Sequence, residues 1–351
     1  MPGYPFRNLI FEGAGVKGIA YVGAVGVLEQ KGITQNIQRV AGTSVGAINA
    51  LLFGLNYTND DVQKTLWKLD FRNFKDDTWG FIPDTIRLIR KFGWYKGDFF
   101  RNWIADLIAQ KTENPESTFK DLYARRTEKG FRDIYMIGTN LSTHFSETFS
   151  CEHSPDMPVA DAVRISMSIP LFFTAQRRAG GDVYVDGGVL DNYPVKLFDR
   201  ERYIEPAVLE THSMKTDYYA SMNDQLKSRQ KEFSPHVYNM ETLGFCLDTK
   251  QEISLFEGDT EPVDHKIDSF FEYSRGLIET VMDAQANQHL HADDWQRTIY
   301  IDSLGVKATQ FDLDEKTKQA LVKSGSDNTT AYFEWYDNLA SKPVNRPKTW
   351  P

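Results

Sequence analysis

Apolar positions in the first part of the chain repeat one pattern twice. The run "RNLIFEG" (7–13) reads as a buried strand ending at a glycine turn, and in "KGIAYVGAVGVLEQKG" (17–32) Ile19, Val22, Val25, Val27 and Leu28 recur at helical spacing up to Gly32. "IQRVAG" (37–42) is again a short strand, "GTSVG" (42–46) a tight turn, and "AINALLFGL" (47–55) an apolar helix. Two successive strand-turn-helix units predict an α/β fold built on a parallel sheet.

Farther along, "NDDVQKTLWKLD" (59–70) and "GDFFRNWIADLIAQK" (97–111) have helical periods, and Thr118 has the place of an N-cap for "FKDLYAR". "DIYMIGTNL" (133–141) returns to strand character with "HFSETFS" to pair beside it, and "PVADAVRISMSIP" reads as a helix closed by Pro170. "DVYVDGG" (182–188) is a strand running into a glycine turn. The polar, irregular stretch 213–270 reads as a peripheral insertion. After it, "GLIETVMDAQANQHL" has a helical pattern, "RTIYIDS" is a strand and "DEKTKQALVKSG" an amphipathic helix. The division expected is one catalytic domain over 1–340 and an extended tail over 341–351.

Composition narrows the function classes. The 351 residues carry 40 Lys+Arg against 49 Asp+Glu, a net charge of −9 and the wrong sign for a nucleic-acid partner. Cys151 and Cys246 lie far apart, which fits a reducing compartment and offers no disulfide framework or Cys-x-x-Cys metal pair. No apolar run is long enough to span a bilayer and no leader pattern opens the chain, so a cytoplasmic protein, or one peripheral to a membrane, is expected.

The stretch "GAGVKG" (13–18) matches G-x-G-x-x-G, which opens many dinucleotide sites. A ribose-binding carboxylate should then end the next strand, but that strand ends in Ala41-Gly42. The turn after it is instead G-x-S-x-G in a strand-to-helix setting, with Ser44 at the apex and Gly42 and Gly46 where a Cβ would not fit. Ser44 at a helix N-terminus is placed for acyl transfer, and "GAGVKG" can supply backbone N–H groups to an oxyanion. A glycine turn with a serine cap is the plainer alternative.

A serine nucleophile needs a base. His212, His236, His265, His289 and His291 lie in polar or helical stretches without a motif, and "HLH" (289–291) points its rings apart on a helix. Asp186, at a strand end and followed by Gly187 and Gly188, is the better candidate; Asp-Gly-Gly is also an ordinary turn signal.

With "GAGVKG", "GTSVG" and "YVDGG" in this order, the chain resembles the patatin-like phospholipases. "AVRISMSIPLFF" (162–173), "TNLSTHFSETFS", "DNYPV" (191–195) and "RTIYIDSLGVKATQFDL" extend the resemblance over most of the chain. It implies a three-layer α/β/α fold with a central, mostly parallel sheet and a Ser44-Asp186 dyad without histidine, metal or cofactor. It also implies an oxyanion hole from Gly13, Ala14, Gly15, Val16 and the N–H of Val45, supported by the motif glycines Gly18, Gly42, Gly46, Gly187 and Gly188. Ala14 stands where three consecutive glycines are usual, and Lys17 where Arg or Lys is usual.

The activity implied is hydrolysis of carboxylic esters in phospholipids or lysophospholipids. A regulated or silent lipid-binding protein of the same fold and a dinucleotide-dependent oxidoreductase are the alternatives. Residues 79–96, "WGFIPDTIRLIRKFGWYK", gather aromatic and aliphatic side chains with Arg87, Arg90, Lys91 and Lys96. They read as a helical cover on the sheet or as a peripheral contact with an anionic membrane.

Overall fold

A computed structural model describes residues 3–69, 93–178, 180–228, 234–248, 293–308 and 312–338, with Gln310 and a few positions between 267 and 281. Most of segment 79–96, the helix expected over 276–290 and the tail 341–351 lie outside the described residues.

Twelve strands occur among the described residues: β1 Asn8–Phe11, β2 Arg39–Gly42, β3 Gly93–Tyr95, β4 Asp133–Asn140, β5 Phe145–Phe149, β6 Leu171–Phe173, β7 Gln176–Arg177, β8 Val183–Asp186, β9 Ser213–Met214, β10 Tyr238–Asn239, β11 Thr242–Asp248 and β12 Thr298–Asp302. Eight of them form one mixed sheet, in which β12, β11, β1, β2 and β4 are successive parallel neighbours. β5 and β8 pair antiparallel with β4, and β7 with β8.

Strand alternation divides the core in two. Leu9, Phe11, Val40, Ile134, Met136, Leu243, Phe245, Leu247, Ile299 and Ile301 face a large cluster completed by helices α1 (Ala20–Gln30) and α2 (Val45–Gly54) and by the helices Asp98–Thr112, Val159–Ser166 and Glu315–Tyr336. Ile10, Ala41, Tyr135, Cys246 and Tyr300, the residues between them, face a second cluster with Tyr193, Val195, Phe198 and Tyr203. The result is a three-layer α/β/α arrangement around a mostly parallel sheet, as the resemblance implies.

Part of the stretch expected as a peripheral insertion is central. β11 lies between β1 and β12, buried by both clusters. Its sequence "TLGFCLD" hides this because Gly244 interrupts the apolar run, and glycine in a strand reads as a break. The structure supplies the reason: the Tyr193 hydroxyl occupies the space a Cβ at 244 would need, and hydrogen-bonds to Thr298 Oγ1 at 2.9 Å.

Strand β4 brings distant segments together. The Asp133 N–H donates to Gln38 O just before β2, and the Leu141 N–H donates to Val183 O of β8. These donors are an even number of positions apart, so they serve the same edge of β4. β2 runs parallel along that edge until Gly42 faces Met136, and β8 runs antiparallel until Asp186 faces Gly138. Two strands therefore approach head-on and end two positions apart.

Candidate active site

Ser44 follows β2 and is the N-cap of α2, with φ 53° and ψ −128°. A non-glycine residue in this region carries backbone strain that the surroundings must impose. They do so by close packing: a Cβ on Gly42 would overlap the Gly46 carbonyl, and one on Gly46 would overlap the Phe11 carbonyl. A Cβ on Gly18 would press on Val45, so the glycine turn and the serine turn share one packed junction.

Asp186 stands at the head of β8, fully buried. Its Oδ1 accepts the Gly188 N–H at 2.8 Å, while Oδ2 is buried without a hydrogen-bond partner among the described residues. Burial pushes its pKa from 3.8 up to about 7, with the Gly188 N–H and the Ser44 hydroxyl pulling it part of the way back. Ser44 Oγ is directed at Met167 Sδ, 3.7 Å away, and Ser44 itself is 2% exposed. Serine and carboxylate are thus neighbours in a desolvated pocket, with the acceptor Oδ2 unspent.

The helix Val159–Ser166 and the residues after it bridge the two. Ser166 Oγ accepts the Ser44 N–H at 3.0 Å, and Ser168 O accepts the Asp186 N–H at 2.9 Å. Arg164, 3% exposed, donates to Ser168 Oγ at 2.6 Å and to the carbonyls of Lys96 and Thr174. The sequence marked this segment only by its helix and closing proline. The roles of Arg164, Ser166 and Ser168 depend on partners far away in the chain.

The five expected oxyanion donors do not all have free N–H groups. The Gly13 N–H donates to Asn192 O and the Val16 N–H to Ala308 O, both at 3.0 Å, so these two are engaged elsewhere, contrary to expectation. No acceptor for the N–H of Ala14 or Gly15 stands among the described residues, and Val45, first in α2, has one of the N–H groups that a helix start leaves unbonded. Because a peptide's N–H and C=O point opposite ways, the Lys17 N–H on Ala14 O at 3.2 Å turns the Gly15 N–H to the other side. Gly15 has φ +54°, and a Cβ there would overlap the Ala308 carbonyl. Ala14, at φ −134° and ψ 9°, accommodates its side chain in the core, so the methyl group leaves its N–H in place.

Other candidates have structural employment. Lys17 Nζ donates to Leu247 O at 3.0 Å. His212 hydrogen-bonds Glu241 at 2.7 Å and His236 stacks on Tyr219, while His265, His289 and His291 lie outside the described residues. Among the described residues no helix is long and apolar enough to cross a membrane.

Comparison with known proteins bears on the family and the fold. A family model described as patatin-like phospholipase matches residues 9–199. The uncharacterized protein YqhO of Bacillus subtilis is 30% identical, over 93% of this chain and 97% of its own length. A protein named probable lipid hydrolase 463L, of invertebrate iridescent virus 6, is 23% identical over 55% of this chain and 63% of its own. Among solved structures, VipD of Legionella pneumophila superposes with a TM-score of 0.58 at 17% identity, covering 94% of this chain and 67% of its own, a likeness of fold.

Proposed function

The chain belongs to the patatin-like phospholipase family, and on that premise we propose that it hydrolyses acyl esters of phospholipids or lysophospholipids through Ser44 and Asp186. The observation that carries the proposal is the head-on meeting of β2 and β8, which sets a strained serine beside a buried carboxylate with a free oxygen.

In the first step Asp186 Oδ2 takes the proton as Ser44 Oγ attacks the ester carbonyl, and the N–H groups of Ala14, Gly15 and Val45 stabilise the oxyanion. Collapse of the tetrahedral intermediate expels the alcohol, which takes the proton from Asp186. Water then attacks the acyl-serine, giving a proton to the same carboxylate, which passes it to Ser44 Oγ as the fatty acid leaves. An ordinary aspartate would be too weak a base, and a pKa near 7 brings Asp186 into the useful range. This division of labour needs no dinucleotide, and it gives the glycines of "GAGVKG" a use that the missing ribose carboxylate does not contradict.

Ser44→Ala and Asp186→Asn are each expected to lower turnover of a mixed phospholipid extract by at least about a thousandfold, followed as released fatty acid and lysolipid by mass spectrometry. Ser44→Ala should also abolish labelling by a fluorophosphonate. Wild-type turnover in either variant would sink the dyad.

A regulated enzyme is the second reading, favoured by the near-complete burial of Ser44 and the orientation of its hydroxyl toward Met167. It predicts a steep rise in activity when a soluble short-chain ester is replaced by the same ester in vesicles. Equal rates on both would remove it.

A further inference from the structure

We propose that Asn192, held by Glu12, is a positioning residue that aims the Ala14 N–H at the oxyanion; the inference rests on the catalytic roles proposed for Ser44 and Asp186. Asn192 grips Gly13 at both ends. Its backbone carbonyl accepts the Gly13 N–H at 3.0 Å, and its Nδ2 donates to the Gly13 carbonyl at 2.9 Å. The Gly13 carbonyl and the Ala14 N–H belong to one planar trans peptide and point in opposite directions. Tying the carbonyl to Asn192 therefore turns the Ala14 N–H the other way.

The clamp is itself braced. Asn192 Nδ2 also donates to Glu12 Oε1 at 3.3 Å, and Glu12 Oε2 accepts the Leu247 N–H of β11 at 2.7 Å. Glu12 and Asn192 are 3% and 6% exposed, so both are fixed by packing. Thr43 Oγ1 donates to Asp191 O at 2.9 Å, so the loop that begins at Asp186 touches the serine turn and the glycine turn within six residues.

Two observations separate this from ordinary packing. Asn192 Oδ1 is buried with no hydrogen-bond partner among the described residues, a cost to stability that an apolar side chain would not incur. That oxygen also fills the space a Cβ at residue 13 would need, so Gly13 is required by the clamp. A glycine-rich turn has several accessible conformations, and an oxyanion hole works only if its donors are oriented before the reaction.

The test uses the full chain and three measurements: hydrolysis of a short-chain p-nitrophenyl ester, titration of reactive serine with a fluorophosphonate, and inhibition by an alkyl trifluoromethyl ketone, whose serine adduct carries the oxyanion. Asn192→Ala is expected to lower kcat per titrated serine about a hundredfold with KM within about threefold, and to weaken the ketone by a similar factor. Glu12→Gln is expected to lower both about tenfold, and its result decides the matter if Asn192→Ala does not fold. The midpoint of the pH profile should stay where Asp186 sets it. Undiminished kcat per titrated serine and undiminished ketone affinity would overturn the clamp, as would losses confined to the titratable fraction. Turnover surviving in Ser44→Ala would instead overturn the dyad and leave the ketone without its target.

Discussion

In the proposed mechanism Asp186 links catalysis to stability through a single proton. As a base it must be ionised, so kcat/KM for a neutral ester is expected to rise with pH through about 7 and level off above it, with the fluorophosphonate labelling rate following the same curve. A midpoint near 4 would show that the carboxylate is not desolvated in the working enzyme. The folding equilibrium carries the opposite pH dependence. The folded pKa lies above the unfolded value of 3.8, so the contribution to stability is complete below about pH 4 and lost as the pH rises through about 7. Asp186→Asn keeps the shape and an acceptor for the Gly188 N–H without the charge. It should match the wild type in stability at pH 4 and exceed it by about 4 kcal/mol at pH 8, measured by urea unfolding. An equal gap at both pH values would mean that packing, not ionisation, separates the two.

At the scale of elements, the segment from Arg164 to Ser168 is the bridge on which the Ser44 and Asp186 turns both rest. Arg164→Met keeps much of the apolar stem but takes the charged donor from the Ser168 hydroxyl and from the carbonyls of Lys96 and Thr174, which are left with Thr174 Oγ1 and Gln176 Nε2 as donors. A loss of about 3 kcal/mol is expected in denaturant unfolding, with a fall in kcat because Ser168 O holds the Asp186 N–H. Unchanged stability would mean that the guanidinium only fills space. This bridge also marks the limit of what the sequence discloses. The strand-turn-helix units, the Ser44 turn and the strand before Asp186 are legible because periodicity and glycine spacing are local. Ser166 on Ser44, Asn192 on Gly13 and Leu247 on Glu12 are not, because each joins residues more than a hundred positions apart. The same holds for Gly13 and Val16: nothing local says that their N–H groups are taken by Asn192 and Ala308. Gly244 conceals β11 for the same reason, its cause being a tyrosine on another segment.

The whole molecule needs more than the 9–199 region that carries the family's motifs. β11 and β12, from residues 242–302, complete one side of the sheet, and without them β1 would become an edge strand with Leu9 and Phe11 stripped of their neighbours Leu243 and Phe245. The loss would also reach charges. Asp199 is buried, and both its oxygens accept from Arg297 at 2.6 and 2.7 Å, while Arg297 also donates to Asp294. A fragment ending at residue 212 would keep Asp199 and lose its cation, leaving a carboxylate without its buried partner. It would lose Leu247 as well, and with it the group that braces Glu12. Such a fragment contains Ser44, Asp186 and all the motif glycines, yet it is expected to be aggregated or expanded, to bind a hydrophobic dye and to show no turnover. Circular dichroism, size exclusion and the ester assay on that fragment are the check. A monomeric, cooperatively folded and active fragment would show that β11 and β12 serve something other than the site.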